Sequence, residues 1–211
     1  QIEDIRNFKA LKKAISKSDA VFHLAAQTAV TTSIESPQED FEINAQGTLN
    51  VLEAARSQRR KIPVIFASTN KVYGSLANVE IVKNGARYEF SSLRLGISEL
   101  QPVDFHSPYG CSKGVADQYV RDYHRIYDLP TVVFRQSCIY GPRQFGIEDQ
   151  GWVAHFVISA LLGRPLTIYG DGLQVRDLLY IDDLISAFAL ALERIDTIGG
   201  EVYNIGGGEK N

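Results

Sequence analysis

The chain has 211 residues, 45% of them hydrophobic, and a formal net charge of -3. This length and composition predict a globular chain with a full core, and the small negative charge excludes a basic field for nucleic acid or an anionic membrane. Two cysteines and no apolar run long enough to cross a bilayer favour a reducing cytoplasm. Because the chain begins at Gln1 and contains no methionine, we expect it to be a fragment.

The hydrophobic pattern predicts helices and strands that alternate along the chain. Three- and four-residue spacing predicts helices over 7–17, 39–57, 108–127, 152–162 and 182–194. Short apolar runs predict strands over 20–25, 63–67, 131–134, 166–169 and 202–205. In the second helix the expected core contacts are Phe41, Leu49, Leu52 and Ala55. The alternation is typical of an α/β fold with a doubly wound parallel sheet, and residues 75–107 are expected to form a long excursion.

Candidate functional residues follow three of the predicted strands. They are Ala25-Ala26-Gln27, Ser68-Thr69-Asn70-Lys71 and Gln136-Ser137-Cys138. Doubly wound sheets bind ligands beyond the carboxyl ends of their strands, so we expect these segments to border one ligand site.

A tyrosine and a lysine stand four residues apart near the start of the helix at 108–127. The spacing places Tyr109 and Lys113 on one helix face. The ordinary tyrosine pKa of about 10 makes it a weak base at neutral pH, unless a cation such as this ammonium favours the phenolate. An exposed pair on an amphipathic helix is the alternative reading of the same spacing. With Thr69 presenting a hydroxyl, the three groups would suit proton transfer at a sugar oxygen.

Five motifs in order resemble the extended short-chain dehydrogenase/reductase family, the nucleotide-sugar epimerases and dehydratases. They are Val21-Phe22-His23-Leu24-Ala25-Ala26, Asn44-Ala45-Gln46-Gly47-Thr48, Ser68-Thr69-Asn70-Lys71-Val72-Tyr73-Gly74, Tyr109 with Lys113, and Val175-Arg176-Asp177. The resemblance implies a Rossmann-like fold and hydride transfer between tightly held NAD and a sugar carbon.

The resemblance also implies roles for individual residues. The implied catalytic residues are Thr69, Tyr109 and Lys113. The implied NAD ligands are Asp4, Ile5, Leu24, Ala25, Ala26, Asn44, Tyr109, Lys113 and Ser137. The implied substrate ligands are Gln27, Asn70, Cys138 and Arg176, and no metal is implied. Arg176 would hold the diphosphate through its planar guanidinium, whereas a surface salt bridge is its alternative role.

Two parts of the family pattern are missing from these residues. The glycine-rich turn that binds pyrophosphate is absent, as is the acid that reads the adenosine ribose, so NAD rather than NADP rests on the resemblance alone. We expect residues 1–140 to form the NAD-binding domain and residues 141–211 part of an interleaved nucleotide-sugar-binding region.

The choice of reaction depends on the residues after Thr69. Dehydratases of this family place Asp and Glu there for elimination, but here Asn70 and Lys71 follow. The runs around Thr69, Tyr109 and Trp152 look most like the branch that epimerises CDP-paratose at C2. A UDP-glucose 4-epimerase and a non-catalytic dinucleotide-binding relative are the alternatives.

Apolar faces on the helices at 39–57 and 108–127 suggest a homodimer or homotetramer interface, or ordinary contacts with the sheet.

Overall fold

The structure, a computed structural model, describes residues 3–208 and contains eighteen helices, helical turns and strands within that range. The helices are α1 (Phe8–Ile15), α2 (Val30–Glu35), α3 (Pro37–Phe41), α4 (Gly47–Arg56), α5 (Ser107–Tyr127), α6 (Trp152–Leu161), α7 (Ile181–Glu193) and α8 (Ile195–Ile198). The strands are β1 (Val21–His23), β2 (Val64–Thr69), β3 (Ile81–Asn84), β4 (Arg87–Phe90), β5 (Thr131–Gln136), β6 (Cys138–Tyr140), β7 (Leu178–Tyr180) and β8 (Val202–Ile205). A π-helical turn covers Glu42–Gln46, and a 3-10 turn covers Asn70–Tyr73.

The central sheet is parallel and has the strand order β1-β2-β5-β8. On one face, α4 and α5 bury Leu52 and Val120 against Phe66. On the other face, α7 buries Phe188 against Phe134. Because alternate strand residues point to opposite faces, β2 and β5 are apolar on both sides and sit between two helical layers. The doubly wound α/β fold is therefore confirmed.

The predicted helix at 39–57 is one continuous helix in the sequence pattern but three segments in the structure. It begins at Pro37 as α3, passes through the π-helical turn and continues as α4. A π turn adds one residue and rotates the side chains before it relative to those after it. Phe41, predicted to lie in the core, is therefore 51% exposed, whereas Asp40 and Asn44 are each 1% exposed.

Two strand predictions need correction. Residues 166–169 form no strand, and Ile168 is 63% exposed, because the run lies between Pro165 and Gly170 and has no strand beside it in the described chain. The predicted strand at 20–25 is shortened to Val21–His23 and lies at the sheet edge, which leaves Phe22 43% exposed. Short apolar runs have no periodicity that would distinguish a paired strand from an exposed loop.

The excursion at 75–107 contains an antiparallel hairpin of β3 and β4. Its Tyr88 hydroxyl donates to Asp171 at 2.7 Å, and its Tyr88 N–H donates to the carbonyl of Leu173 at 3.0 Å. The hairpin is thus attached to the loop that precedes the Val175-Arg176-Asp177 motif.

Across residues 3–208, no helix combines the length and apolar character needed to cross a membrane. The domain boundary at residue 140 stays a prediction.

Candidate active site

The carboxyl ends of the central strands bring the predicted segments together. Thr69 at the end of β2 is paired in register with Gln136 of β5, and Gln136 is paired with Ile205 of β8. Parallel strands share one carboxyl edge, so hydroxyl and amide side chains from different parts of the sequence meet there. The edge is continued by α5, which contacts both β2 and β5.

Tyr109 lies in the first turn of α5 and points at Thr69. In this turn the Ser107 hydroxyl accepts a hydrogen bond from the Gly110 N–H at 3.2 Å, and Pro108 is tolerated because the first turn needs no N–H donor. Tyr109 is 8% exposed, and the Thr69 hydroxyl is near enough to its phenol to lower the pKa of that group. The exposed-tyrosine alternative is therefore wrong.

Lys113 lies one helical turn further along α5 and is also buried, at 4% exposed. Its Nζ donates to the carbonyl of Ala67 at 2.7 Å and lies 4.2 Å from the centre of the Phe66 ring. Burial lowers the pKa of Lys113 to about 7, while the carboxylates of Asp117 and Asp40 raise it. The lysine can therefore change charge near neutral pH.

The pKa of Tyr109 differs from the sequence expectation. Burial raises the pKa of Tyr109, the Thr69 hydroxyl lowers it, and the Asp40 carboxylate raises it. Desolvation of the phenolate therefore outweighs the help that was expected from the nearby lysine. The Thr69 hydroxyl is the neighbouring group that favours the phenolate.

A buried ion pair lies behind the lysine, and sequence reasoning missed it. Arg135 of β5 forms two hydrogen bonds to Asp117 of α5, at 2.9 and 2.8 Å, and the side chains are 2% and 0% exposed. Ser68 donates to the same carboxylate at 2.7 Å, and Arg135 also donates to the Tyr73 hydroxyl at 2.9 Å. The available signal was an arginine inside an apolar strand together with an aspartate four residues after Lys113.

Asn44 is buried in the π-helical turn and joins three segments. Its Oδ1 accepts from the Gln27 N–H at 2.9 Å, and its Nδ2 lies 3.1 Å from the Gln27 carbonyl, the Asp40 Oδ1 and the Ser112 Oγ. Asn44 thus fixes the loop after β1 against α5. These hydrogen bonds are with protein groups, so the cofactor role of Asn44 stays a prediction.

His23 forms a second buried polar chain under the same loop. Thr48 donates its proton to the Asn44 carbonyl at 2.6 Å, so His23 Nε2 must donate to the Thr48 oxygen at 2.8 Å. Burial lowers the pKa of His23 to about 3, with a further contribution from Lys113. His23 and Thr48 belong to two different sequence motifs, and no sequence pattern indicated that the two residues are in contact.

A cleft of about 490 Å³ lies beside the amino-terminal segment and β1. Its lining includes five of the implied cofactor residues: Asp4, Ile5, Leu24, Ala25 and Ala26. The Asp4 carboxylate is held by Arg6, which contacts it at 2.7 Å and lowers the pKa of Asp4 to about 2. A cleft with an apolar lining and one acidic edge fits an adenine ring, whose amino group can donate to a carboxylate.

The implied cofactor residue Ser137, its neighbour Gln136 and the implied substrate residues have different environments. Ser137 Oγ is buried with no hydrogen-bond partner among residues 3–208, and the same is true of Gln136 Nε2. Cys138 is half-buried, and Asn70 is exposed. The Gln27 side chain donates to the Ala29 carbonyl at 2.8 Å. Unpartnered buried polar atoms at a sheet edge fit a polar ligand that would complete their hydrogen bonds.

Arg176 lies in the exposed loop before β7. Its guanidinium donates to the Val175 carbonyl at 3.1 Å and makes no ion pair within residues 3–208. The neighbouring Asp177 accepts from the Gly207 N–H at 2.8 Å, and a Cβ on Gly206 would lie 1.7 Å from its Oδ2. A glycine is therefore required after β8 to let this loop close against the sheet.

The fold is that of the doubly wound α/β class, and it places a threonine, a tyrosine and a lysine at the carboxyl edge of its sheet. The model of the NAD dependent epimerase/dehydratase family matches residues 2–206, and the chain belongs to this family. NAD is the cofactor of the family.

The most informative relatives are sugar-nucleotide enzymes. The chain is 49% identical over 211 residues to the CDP-paratose 2-epimerase of Salmonella typhi, covering 97% of this chain and 62% of the relative. The UDP-glucose 4-epimerase of Thermotoga maritima, solved with UDP-glucose, matches with a TM-score of 0.81 and 34% identity over 97% of this chain and 61% of that one. The NAD complex of the Thermus thermophilus UDP-glucose 4-epimerase matches with a TM-score of 0.78 and 35% identity. The match covers 98% of this chain and 63% of that one. The chain thus spans about 60% of the length of these relatives.

Proposed function

We propose that the protein containing this chain is an NAD-dependent nucleotide-sugar epimerase that interconverts CDP-paratose and CDP-tyvelose at C2. The observation that carries the proposal is the buried contact between Tyr109 and Thr69, with Lys113 one turn away, at the carboxyl edge of the sheet. This arrangement places a base, a hydroxyl and an ammonium where a sugar hydroxyl could be bound between them.

The proposed chemistry divides between the cofactor and the protein. Bound NAD would supply reversible hydride transfer at one sugar carbon. Tyr109 would take the proton from the hydroxyl on that carbon and later return it, and Thr69 would hold the same oxygen. Lys113 would hold the cofactor ribose and stabilise the phenolate through its charge. The cleft residues Asp4 and Ile5 would bind the adenine, and the remaining implied ligands would line the cofactor and the sugar nucleotide.

The residues after Thr69 support epimerisation over dehydration. Elimination of water needs a carboxyl group as acid or base near the sugar. Asn70 and Lys71 are both exposed in the 3-10 turn after β2, and neither has a carboxyl group. An epimerase needs only oxidation, reorientation of the ketosugar and return of hydride.

Two observations favour different epimerase substrates. The 49% identity to a CDP-paratose 2-epimerase supports C2 chemistry on a CDP-sugar. The structural match to a UDP-glucose 4-epimerase solved with UDP-glucose supports C4 chemistry as the second candidate. We favour the first because its 49% identity exceeds the 34% identity to the UDP-glucose 4-epimerase, and because the runs around Thr69, Tyr109 and Trp152 resemble the C2 branch.

The deciding experiment follows a deuterium label through the reaction. The native protein is given CDP-paratose deuterated at C2, without added NAD, and the product is examined by NMR. We expect CDP-tyvelose that retains the label at C2, with no solvent hydrogen at that carbon, since the hydride leaves and returns on one bound cofactor. Conversion of UDP-glucose to UDP-galactose with the CDP-sugar unchanged would establish the 4-epimerase alternative instead.

We further propose that the protein acts in the cytoplasm as a homodimer or homotetramer. The support is an exposed apolar stripe on α5, where Tyr119, Ile126 and Tyr127 are 46%, 65% and 48% exposed. Sedimentation equilibrium of the native protein tests the assembly, and a monomer at micromolar concentration would refute it.

A further inference from the structure

A row of polar side chains crosses the central sheet one residue before its carboxyl edge. Ser68 of β2 is paired in register with Arg135 of β5, and Arg135 is paired with Asn204 of β8. Ser68 and Arg135 are buried, at 4% and 3% exposed. Thr69 is the next residue of β2 and is paired with Gln136 in the row that borders the site. The polar row therefore lies directly behind a residue of the proposed reaction.

The hydrogen bonds of this layer have fixed directions. An arginine only donates and a carboxylate only accepts, so the Ser68 hydroxyl must donate to Asp117, at 2.7 Å. Arg135 makes two hydrogen bonds to the same carboxylate, at 2.9 and 2.8 Å. It also donates to the Tyr73 hydroxyl at 2.9 Å, and Tyr73 donates onward to the Asn204 side-chain oxygen at 2.7 Å. These contacts allow one arrangement of the side chains.

The same layer joins the end of β2 to one face of α5. Lys113 and Asp117 are four residues apart and share a helix face. They contact consecutive residues of β2, because Lys113 Nζ donates to the Ala67 carbonyl at 2.7 Å and Asp117 accepts from Ser68. Thr69 follows on the strand. A displacement of Asp117 from Ser68 would therefore change the separation between the Lys113 ammonium and the Thr69 hydroxyl.

The energetics of burial suggest what the ion pair contributes. Desolvation of two charges offsets much of their attraction, so apolar side chains of similar volume are often at least as stabilising as a buried ion pair. A guanidinium that holds both carboxylate oxygens does, however, fix the orientation of the carboxylate. Arg135 holds both oxygens of Asp117 in this way. Orientation, more than stability, is thus the property that this pair supplies.

We propose that Asp117 and Arg135 are positioning residues, which through Ser68 hold Thr69 and Lys113 at a fixed separation. The side chains of the pair are 0% and 2% exposed, so they act through their neighbours. The geometric effect belongs to the chain itself, whereas its value for catalysis rests on the function proposed above. Catalysis depends steeply on such placement, since a misplacement of about 1 Å can lower a rate by about 10²-fold.

The test compares two variants that each remove one buried hydroxyl between the sheet and α5. Ser68→Ala removes the contact with Asp117 and leaves the ion pair in place. Thr131→Val is the matched control, because Thr131 is 0% exposed and donates to the Val120 carbonyl of α5 at 2.8 Å, at the amino end of β5. Each variant loses one buried hydrogen bond, so their midpoints of urea unfolding should fall by similar amounts.

NMR of the native protein measures the separation without reference to activity. Lys113 Nζ lies 4.2 Å from the centre of the Phe66 ring on β2, so the ring current displaces the Hε signal of this lysine from those of exposed lysines. With lysine labelled by ¹³C at Cε, the Lys113 signal is identified by its absence from Lys113→Arg. We expect it to move toward the exposed-lysine position in Ser68→Ala and to stay in place in Thr131→Val.

Steady-state kinetics give the second measurement. In Ser68→Ala kcat should fall by about 10-fold with KM unchanged, because the geometry of the reacting groups is altered and substrate binding is not. Thr131→Val should keep the wild-type kcat. Arg135→Lys keeps the charge but loses the planar fork, so it should change the NMR signal and kcat in the same direction as Ser68→Ala. Asp117→Leu combined with Arg135→Met, which replaces both charges by apolar side chains, serves if the lysine variant does not fold.

Each outcome of these measurements has a defined meaning. An unmoved Lys113 signal in Ser68→Ala would overturn the inference, as would an equal movement in Thr131→Val, which would reflect lost stability alone. A signal that moves in Ser68→Ala but in no variant of the ion pair would also overturn it, because the pair would then not hold Asp117 in place. If the signal moves as expected but the native protein epimerises neither CDP-paratose nor UDP-glucose, the positioning inference holds and the proposed function fails.

Discussion

At the scale of single residues, Tyr109 is the side chain on which the proposed reaction depends most. It is buried, contacts Thr69, and has a pKa raised mainly by its burial. We expect Tyr109→Phe in the native protein to lower kcat by about 10²-fold or more, which is the usual loss when a general base is removed. Bound NAD, measured by absorbance after denaturation, should remain. Turnover at the wild-type rate would exclude Tyr109 as the base.

His23 makes a separate prediction about stability and pH. Its folded pKa of about 3 is below the value of about 6.5 expected in an unfolded chain. Between these values the unfolded state binds a proton that the folded state does not, so this contribution to stability is present above pH 6.5 and is lost as the pH falls toward 3.

The measurement is urea unfolding of the native protein at pH 7 and pH 5. His23→Gln keeps a donor to Thr48 but cannot be protonated, so the free energy of unfolding should fall less between the two pH values than in the wild type. His106→Gln, at a histidine whose side chain is 54% exposed, is the matched control and is not expected to reduce this difference. An unchanged pH dependence in His23→Gln would contradict the neutral, buried state of this histidine.

At the scale of elements, two glycines on α5 decide how closely the preceding segment approaches the helix. A Cβ on Gly114 would lie 2.4 Å from the Phe105 ring, whereas the nearest atom to a Cβ on Gly110 is 3.6 Å away. Gly114→Ala should therefore destabilise the protein by about 1–3 kcal/mol through overpacking.

Gly110→Ala is the control on the same helix, and its higher helix propensity should leave stability unchanged or raise it by up to about 1 kcal/mol. Denaturant unfolding of both variants gives the comparison. If Gly114→Ala were as stable as Gly110→Ala, Phe105 would not be held against the helix as the structure has it.

The same element shows what sequence patterns can and cannot provide. The spacing in α5 correctly predicted a helix that presents Tyr109 and Lys113 on one face, because helical geometry is local. It could not predict that Asp117 and Arg135 would meet, because they lie on different elements 18 residues apart. The π-helical turn was also unpredictable, since the hydrophobic pattern has no matching break, and beside this turn Phe41 is exposed while Asp40 is buried.

At the scale of the whole molecule, the loop with Arg176 lies beyond the central sheet and is held there by Asp177 and the glycine turn after β8. If Arg176 binds the diphosphate, Arg176→Ala should raise KM for the CDP-sugar by about 30-fold, equivalent to about 2 kcal/mol, with a smaller effect on kcat. Steady-state kinetics of the native protein measure both constants. Arg164→Ala, at another exposed arginine, is the control and should leave KM unchanged. A loss confined to kcat would exclude this binding role.

The sequence by itself determined the alternation of helices and strands, the order of the family motifs, and the residues Thr69, Tyr109 and Lys113, since each depends on local spacing or on short motifs. Only the tertiary structure decided that these residues are buried together, that burial moves the pKa of Lys113 to about 7, and that Asp117 is paired with Arg135 behind them. Desolvation and charge coupling depend on which distant segments surround a group, and this is fixed when α3, α5 and the parallel strands fold against one another.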